Sequence, residues 1–220
     1  PEFGVQEAGY VFGHAGVSAV ACNADVLAVA REACRGIEPA PWFMLFDGAA
    51  EEAPNFLDAI ERAPQAELPP PGGPDEPALI IYTSGTTGFP KGAMHSQRNF
   101  VTGGGANVAR LWVQPGDRLM PVLPMFHVNA LFYSTAGTLA AGCSMALMPR
   151  FSASEFWRAA VEHDVTQVNV IDAVGRFLAR RPRSEFRSEH RITKLYGARA
   201  DFVATFRDEF RVPRLIGGFG

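Results

Sequence analysis

Short apolar runs that alternate with helical patterns constrain this chain more than any other feature. Val17–Ala21, Trp42–Phe46, Ala78–Tyr82, Arg118–Leu123, Ser144–Met148, Val165–Val170, Ile192–Tyr196 and Leu215–Ile216 have the length and apolar density of buried strands. Between them the spacing predicts helices over Val5–Gly13, Ala24–Cys34, Asn55–Arg62, Ser96–Leu111, Asn129–Ala141, Ser152–His163, Ile171–Arg180 and Asp201–Phe210. Strands separated by helices cannot pair as tight hairpins. They pair through right-handed crossovers, so the expected class is α/β, with largely parallel sheets covered by helices.

Local punctuation supports these boundaries. Asn55 and Ser96 are side-chain N-caps, Gly142 is a helix stop, and Ser152 with Glu155 reads as a capping box for a helix that buries Phe156, Trp157, Ala160 and Val161. Gly103-Gly104-Gly105 falls inside one predicted helix, where it either permits close packing or marks a break. The Pro/Gly-rich run from Pro69 to Pro74 breaks regular structure. It divides the chain into an N-terminal βα portion, 1–75, and a second portion, 76–220.

Composition excludes several function classes. A formal net charge of -3 provides no basic face for nucleic acid. The three cysteines, Cys22, Cys34 and Cys143, are far apart and form no C-x-x-C pair, which argues for a reducing, cytoplasmic setting without a disulfide framework or zinc site. The stretch from Leu119 to Pro149 lacks Asp, Glu, Lys and Arg, but Pro121, Pro124, His127 and Asn129 interrupt it. It suits a buried strand, helix and strand better than a membrane span.

The segment from Tyr82 to Gly92 reads Tyr-Thr-Ser-Gly-Thr-Thr-Gly-Phe-Pro-Lys-Gly and directly follows an apolar strand. Gly85, Gly88 and Gly92 bring backbone N–H groups close to a ligand. Thr83, Ser84, Thr86 and Thr87 add hydroxyl donors, and Lys91 adds a mobile cation suited to polyphosphate. It is not a Walker loop, because Pro90 precedes the lysine and Gly92 follows it.

This string resembles the phosphate loop of the adenylate-forming superfamily, which includes acyl-CoA synthetases, nonribosomal peptide adenylation domains and luciferases. Leu123-Pro124-Met125-Phe126-His127-Val128-Asn129 is similar to the family's next shared segment, Tyr196-Gly197-Ala198-Arg199 to the segment lying against adenine, and Gly217-Gly218-Phe219-Gly220 to the start of a later one, with Phe219 in place of tyrosine. The chain ends before the threonine, glutamate, aspartate and late lysine that the resemblance leads one to expect. It therefore reads as the middle of a longer enzyme, inactive or severely impaired alone, and Pro1-Glu2-Phe3 is either native or a cloning scar.

The resemblance implies ATP-dependent activation of a carboxylic acid, fatty or otherwise, to an acyl-adenylate, then a thioester with CoA, with ATP, Mg²⁺ and CoA taking part. It makes His127 and Lys91 the catalytic candidates. Thr83, Ser84, Gly85, Thr86, Thr87, Gly88 and Lys91 would hold phosphates, and Gly197, Ala198 and Phe219 would hold adenine. Phe126, His127, Val128, Asn129 and Tyr133 would line the acid pocket. No carboxylate follows Phe126, which disfavours an amino-acid substrate, and Arg199 departs from the small residue or proline usual at its position. Arg176, Arg180, Arg181, Arg183, Arg187, Arg191 and Lys194 read as a solvated, partly paired surface more readily than as a CoA-phosphate patch. Transfer to a carrier-protein thiol, and a non-catalytic nucleotide- or acyl-binding module, are the alternatives.

Overall fold

A computed structural model describes residues 3–67, 69–83 and 90–218. The chain forms two compact units, one of residues 1–73 and 79–94, the other of 74–78 and 95–220.

In the first unit α1 (Val5–Ala15), β1 (Ala19–Cys22), α2 (Leu27–Ala33), β2 (Trp42–Leu45) and α3 (Phe56–Arg62) follow the expected alternation. β1 and β2 pair in parallel, with Ala19 opposite Trp42. Val20, Ala30 and Cys34 form a small core with Phe12 and Phe43, and Leu27, Leu45 and Ala53 form another. Asn55 caps α3 as expected, its side-chain oxygen accepting from the N–H groups of Leu57 at 2.9 Å and Asp58 at 3.3 Å. β3 (Pro77–Thr83) leads toward the glycine-rich loop, and β4 (Lys91–Ser96) pairs with it on the far side. β4 was not anticipated, because Lys-Gly-Ala-Met-His-Ser shows neither alternation nor β-branched residues.

The second unit holds a five-stranded sheet in the order β6-β5-β7-β8-β9, with every pairing parallel: β5 (Arg118–Pro121), β6 (Ser144–Met145), β7 (Gln167–Asn169), β8 (Lys194–Ala198) and β9 (Arg214–Gly217). On one face α6 (Phe156–Glu162), α7 (Asp172–Arg180), α8 (Ala200–Ala204) and the π segment Thr205–Glu209 that continues α8 toward Phe210 bury Trp157, Leu178, Phe202, Phe206 and Phe210 against Met120, Val168 and Leu195. On the other, α4 (Gln97–Leu111) and α5 (Gly137–Ala141) cover Leu119 and Tyr196. The period-2 alternation of strand side chains explains why Leu119 and Met120, or Leu195 and Tyr196, serve opposite cores.

Three helices differ from expectation, one of them being α8, which gives way to a π segment at Thr205 where a helix to Phe210 was expected. Ser152 and Glu155 form no capping box. Glu155 is the residue before α6, its carboxylate accepts from Arg158 at 2.6 Å, and the Ser152 hydroxyl meets Ser154 at 3.1 Å. Before α5 the chain winds as a wide π segment, Asn129–Ala136, in which the Thr135 hydroxyl donates to Ala130 O at 3.0 Å, five residues back. The glycine triplet leaves α4 unbroken: a Cβ at Gly104 would stand 2.5 Å from Ala136 O, so its absence lets α4 press onto the π segment.

The N-terminal edge of the sheet is tied by a buried ion pair. Asp117, just before β5, and Lys194, the first residue of β8, are 8% and 4% exposed, and Lys194 Nζ contacts Asp117 Oδ2. Lys194 also donates to Trp112 O at 2.7 Å, while Asp117 accepts from Gln114 N–H at 2.7 Å and the Thr166 hydroxyl at 2.8 Å. Lys194 therefore does not belong to the arginine-rich surface that the sequence suggested. With this edge fastened, the C-terminal edge is left for a ligand.

Candidate active site

Parallel strands bind ligands beyond their carboxyl ends, where successive loops diverge. A cavity of about 350 Å³ lies there in the second unit. Its wall comes from four places: His127, Val128, Asn129 and Tyr133 after β5, Val170 to Asp172 after β7, Tyr196, Gly197 and Arg199 around the end of β8, and Gly218 after β9.

The geometry of His127 decides what it can do. Its Nδ1 accepts a hydrogen bond from Asn129 N–H at 3.1 Å, so in the neutral ring the proton resides on Nε2. The ring is thereby a hydrogen-bond donor available to an oxygen ligand. Its backbone is held on both sides, His127 N–H donating to Pro124 O at 2.9 Å and its carbonyl accepting from Leu131 N–H at 3.0 Å.

Gly197 combines two requirements. Its φ is +90°, and a Cβ there would lie 2.0 Å from Val170 O, so no other residue fits without moving β7. The β8 to β9 pairing shifts register at this point, turning the backbone toward the cavity. Tyr196 meets Tyr133 edge to face at 5.1 Å, and Arg110 lies 5.6 Å from the Tyr196 ring centre and donates to Gly217 O at 3.4 Å. Burial, then the neighbouring Tyr133, raises the Tyr196 pKa, keeping the phenol neutral.

The cavity thus brings together His127, Val128, Asn129, Tyr133 and Gly197 of the expected set. Phe126 does not join them: it is 57% exposed and lies outside the wall. Ala198 packs on the hydrophobic core beneath the sheet. Sequence reasoning did not single out Asp172, and it named Tyr196 and Gly218 only as members of shared segments. Their shared signal is position, since each lies at or just past a strand's carboxyl end.

Thr83 and Lys91 belong to the first unit, where the Thr83 hydroxyl approaches Lys91 O at 3.5 Å across the mouth of the loop. Tyr82 anchors that strand end, its hydroxyl 2.8 Å from His14 Nδ1 and 3.3 Å from Val11 O. Ser84, Gly85, Thr86, Thr87, Gly88 and Phe219 lie outside the described residues. Among the described residues no group of three His, Cys, Asp or Glu side chains is placed to hold a metal ion. No described helix is long and apolar enough to cross a membrane.

Comparison with known proteins agrees with this architecture. The family model for AMP-binding enzymes matches residues 1–220. A sulfoacetate–CoA ligase of Cupriavidus necator is 41% identical over 133 residues, 60% of this chain and 26% of its own length. An indoleacetate–CoA ligase of Aromatoleum aromaticum is 36% identical over 126 residues, 57% of this chain and 24% of its own. The crystal structure of a putative long-chain-fatty-acid CoA ligase from Rhodopseudomonas palustris superposes with a TM-score of 0.84 at 19% identity, covering 99% of this chain and 54% of that one. The chain spans about a quarter of the length of these curated relatives.

Proposed function

The chain belongs to the AMP-binding enzyme family, and from that membership we propose that the protein containing it activates a carboxylic acid with ATP and transfers the acyl group to CoA. A carboxylate oxygen attacks the α-phosphorus of ATP, pyrophosphate leaves, and an acyl-adenylate forms. The CoA thiolate then attacks the acyl carbon, releasing AMP and forming the thioester. Two relatives with CoA-ligase activity in their names support this direction, both named for substituted acetic acids.

The observation that carries the reading is the pairing of the His127 ring, whose Nδ1 accepts Asn129 N–H and whose Nε2 is left for a ligand, with the Gly197 backbone in one cavity. In this reading His127 donates to an oxygen of the acid or its adenylate and holds it in line, which is an alignment and charge-stabilising role. Gly197 lets the adenine ring approach the backbone, with Phe219 as the stacking partner. The loop from Thr83 to Gly88 and Lys91 balance charge on the departing pyrophosphate through N–H groups, hydroxyls and one ammonium.

The test is acid-dependent release of pyrophosphate by the full-length native protein, with acids from acetate to palmitate and aryl acetates. Release that requires an acid and collapses in Lys91→Ala supports the reading. ATP binding without release, whatever the acid, contradicts it.

A further inference from the structure

The cavity holds two polar groups that the acid-activating reading does not use. Arg199 lines it with an exposed guanidinium that makes no ion pair or hydrogen bond among the described residues. The other charged residue in the wall, Asp172, is already engaged by Arg176 at 3.0 Å, and Arg176 also reaches Asp201 at 2.9 Å. Asn129 is only 5% exposed, and its carboxamide makes no side-chain hydrogen bond among the described residues, although its backbone N–H is satisfied by His127. An amide in a cavity wall with no protein partner is available to bond a ligand.

The space is also small. About 350 Å³ lies near the lower end of the roughly 300–1,000 Å³ range of small-molecule sites, and the edge-to-face Tyr133 and Tyr196 rings close one side. A nucleotide at Gly197 would leave little room for a long chain.

We propose that the acid is short and carries a second, hydrogen-bond-accepting anionic group, which Arg199 pairs with and the Asn129 carboxamide orients. This rests on the acid-activating reading and adds a specificity residue to it. A free guanidinium fits carboxylate or sulfonate oxygens in a bidentate fork, while the amide N–H₂ supplies a directional donor that needs no charge. An aliphatic tail would make neither contact, so such acids are selected against.

The experiment compares matched acids in the full-length native protein: propionate with malonate and sulfoacetate, butyrate with succinate, and octanoate as the long probe. Wild type should use the dianionic acids at higher kcat/KM. Arg199→Gln should lower kcat/KM for them by about 10- to 100-fold, mainly through KM, with Arg199→Lys restoring part of the loss. The exposed position of Arg199 makes these variants foldable, and matching thermal melts would show it. Calorimetric binding of succinate or sulfoacetate, weakened in Arg199→Gln, provides a readout apart from turnover. An equal loss for all acids would mean that Arg199 serves the nucleotide, and that overturns the proposal. So does wild-type preference for octanoate, or no change in Arg199→Gln. These results leave acid activation intact, whereas silence with every acid removes acid activation itself and the proposal with it.

Discussion

His127 Nδ1 accepts the backbone N–H of Asn129 at 3.1 Å, which couples the tautomer of a cavity side chain to the first turn of the π segment. The coupling predicts that what matters is the Nε2 donor. His127→Ala should lower kcat for adenylate formation on the order of 10- to 100-fold, the worth of one hydrogen bond to a charged oxygen. Single-turnover measurement of adenylate formation checks it, and a loss confined to KM would contradict the assignment.

Gly197 offers a structural test at the same site. With φ at +90° and Val170 O 2.0 Å from a built Cβ, Gly197→Ala should cost about 2–4 kcal/mol of stability. It should also weaken nucleotide binding, because relief of the clash moves the wall. Urea unfolding and AMP titration measure the two effects.

The Asp117 and Lys194 pair predicts a context-dependent result. Lys194→Met should destabilise by about 3–5 kcal/mol, because Asp117 is left charged and buried, while the double variant with Asp117→Leu should recover part of that loss. Burial pushes the Asp117 carboxyl up, but Lys194, the Gln114 N–H and the Thr166 hydroxyl together hold it below the usual carboxylate range. Because the native pKa is depressed, the contribution is present above about pH 4 and is lost as pH falls through the native value. Acid unfolding of wild type and the double variant should differ there.

His190 predicts a second pH dependence at milder acidity. Its Nε2 lies 2.8 Å from Phe210 O and its Nδ1 accepts Ile192 N–H at 3.1 Å, an arrangement that only the neutral ring satisfies. Burial lowers its pKa, with Phe210 O and Glu189 acting weakly the other way. The unfolded chain binds the proton first, so stability is complete above about pH 6.5 and declines as pH falls below it. Melting temperature should drop between pH 7.5 and 5.5, and His190→Gln should flatten that slope.

Much of this was legible in the sequence because the signals are local. Asn55, Ser96 and Gly142 act through their own side chain or backbone, and each stops or starts a helix where expected. Strand positions followed from apolar runs buried on both faces. What was not legible depends on partners distant in the chain. Glu155 prefers Arg158 to a cap, Lys194 is drawn inside by Asp117, and Gly104 keeps its helix intact because Ala136 sits against it. For the site, motif position located His127, Asn129, Tyr133, Gly197 and the segment that carries Arg199, but Asp172 enters the wall only because β7 and β8 are neighbours.

Isotope transfer tests the central claim most directly. The full-length native protein would be supplied with ATP, CoA and an acid labelled with ¹⁸O in its carboxylate, and the nucleotide product analysed by mass. Attack of the carboxylate on the α-phosphorus predicts that one labelled oxygen appears in AMP. Unlabelled AMP, or label found in inorganic phosphate alongside ADP, would contradict the account.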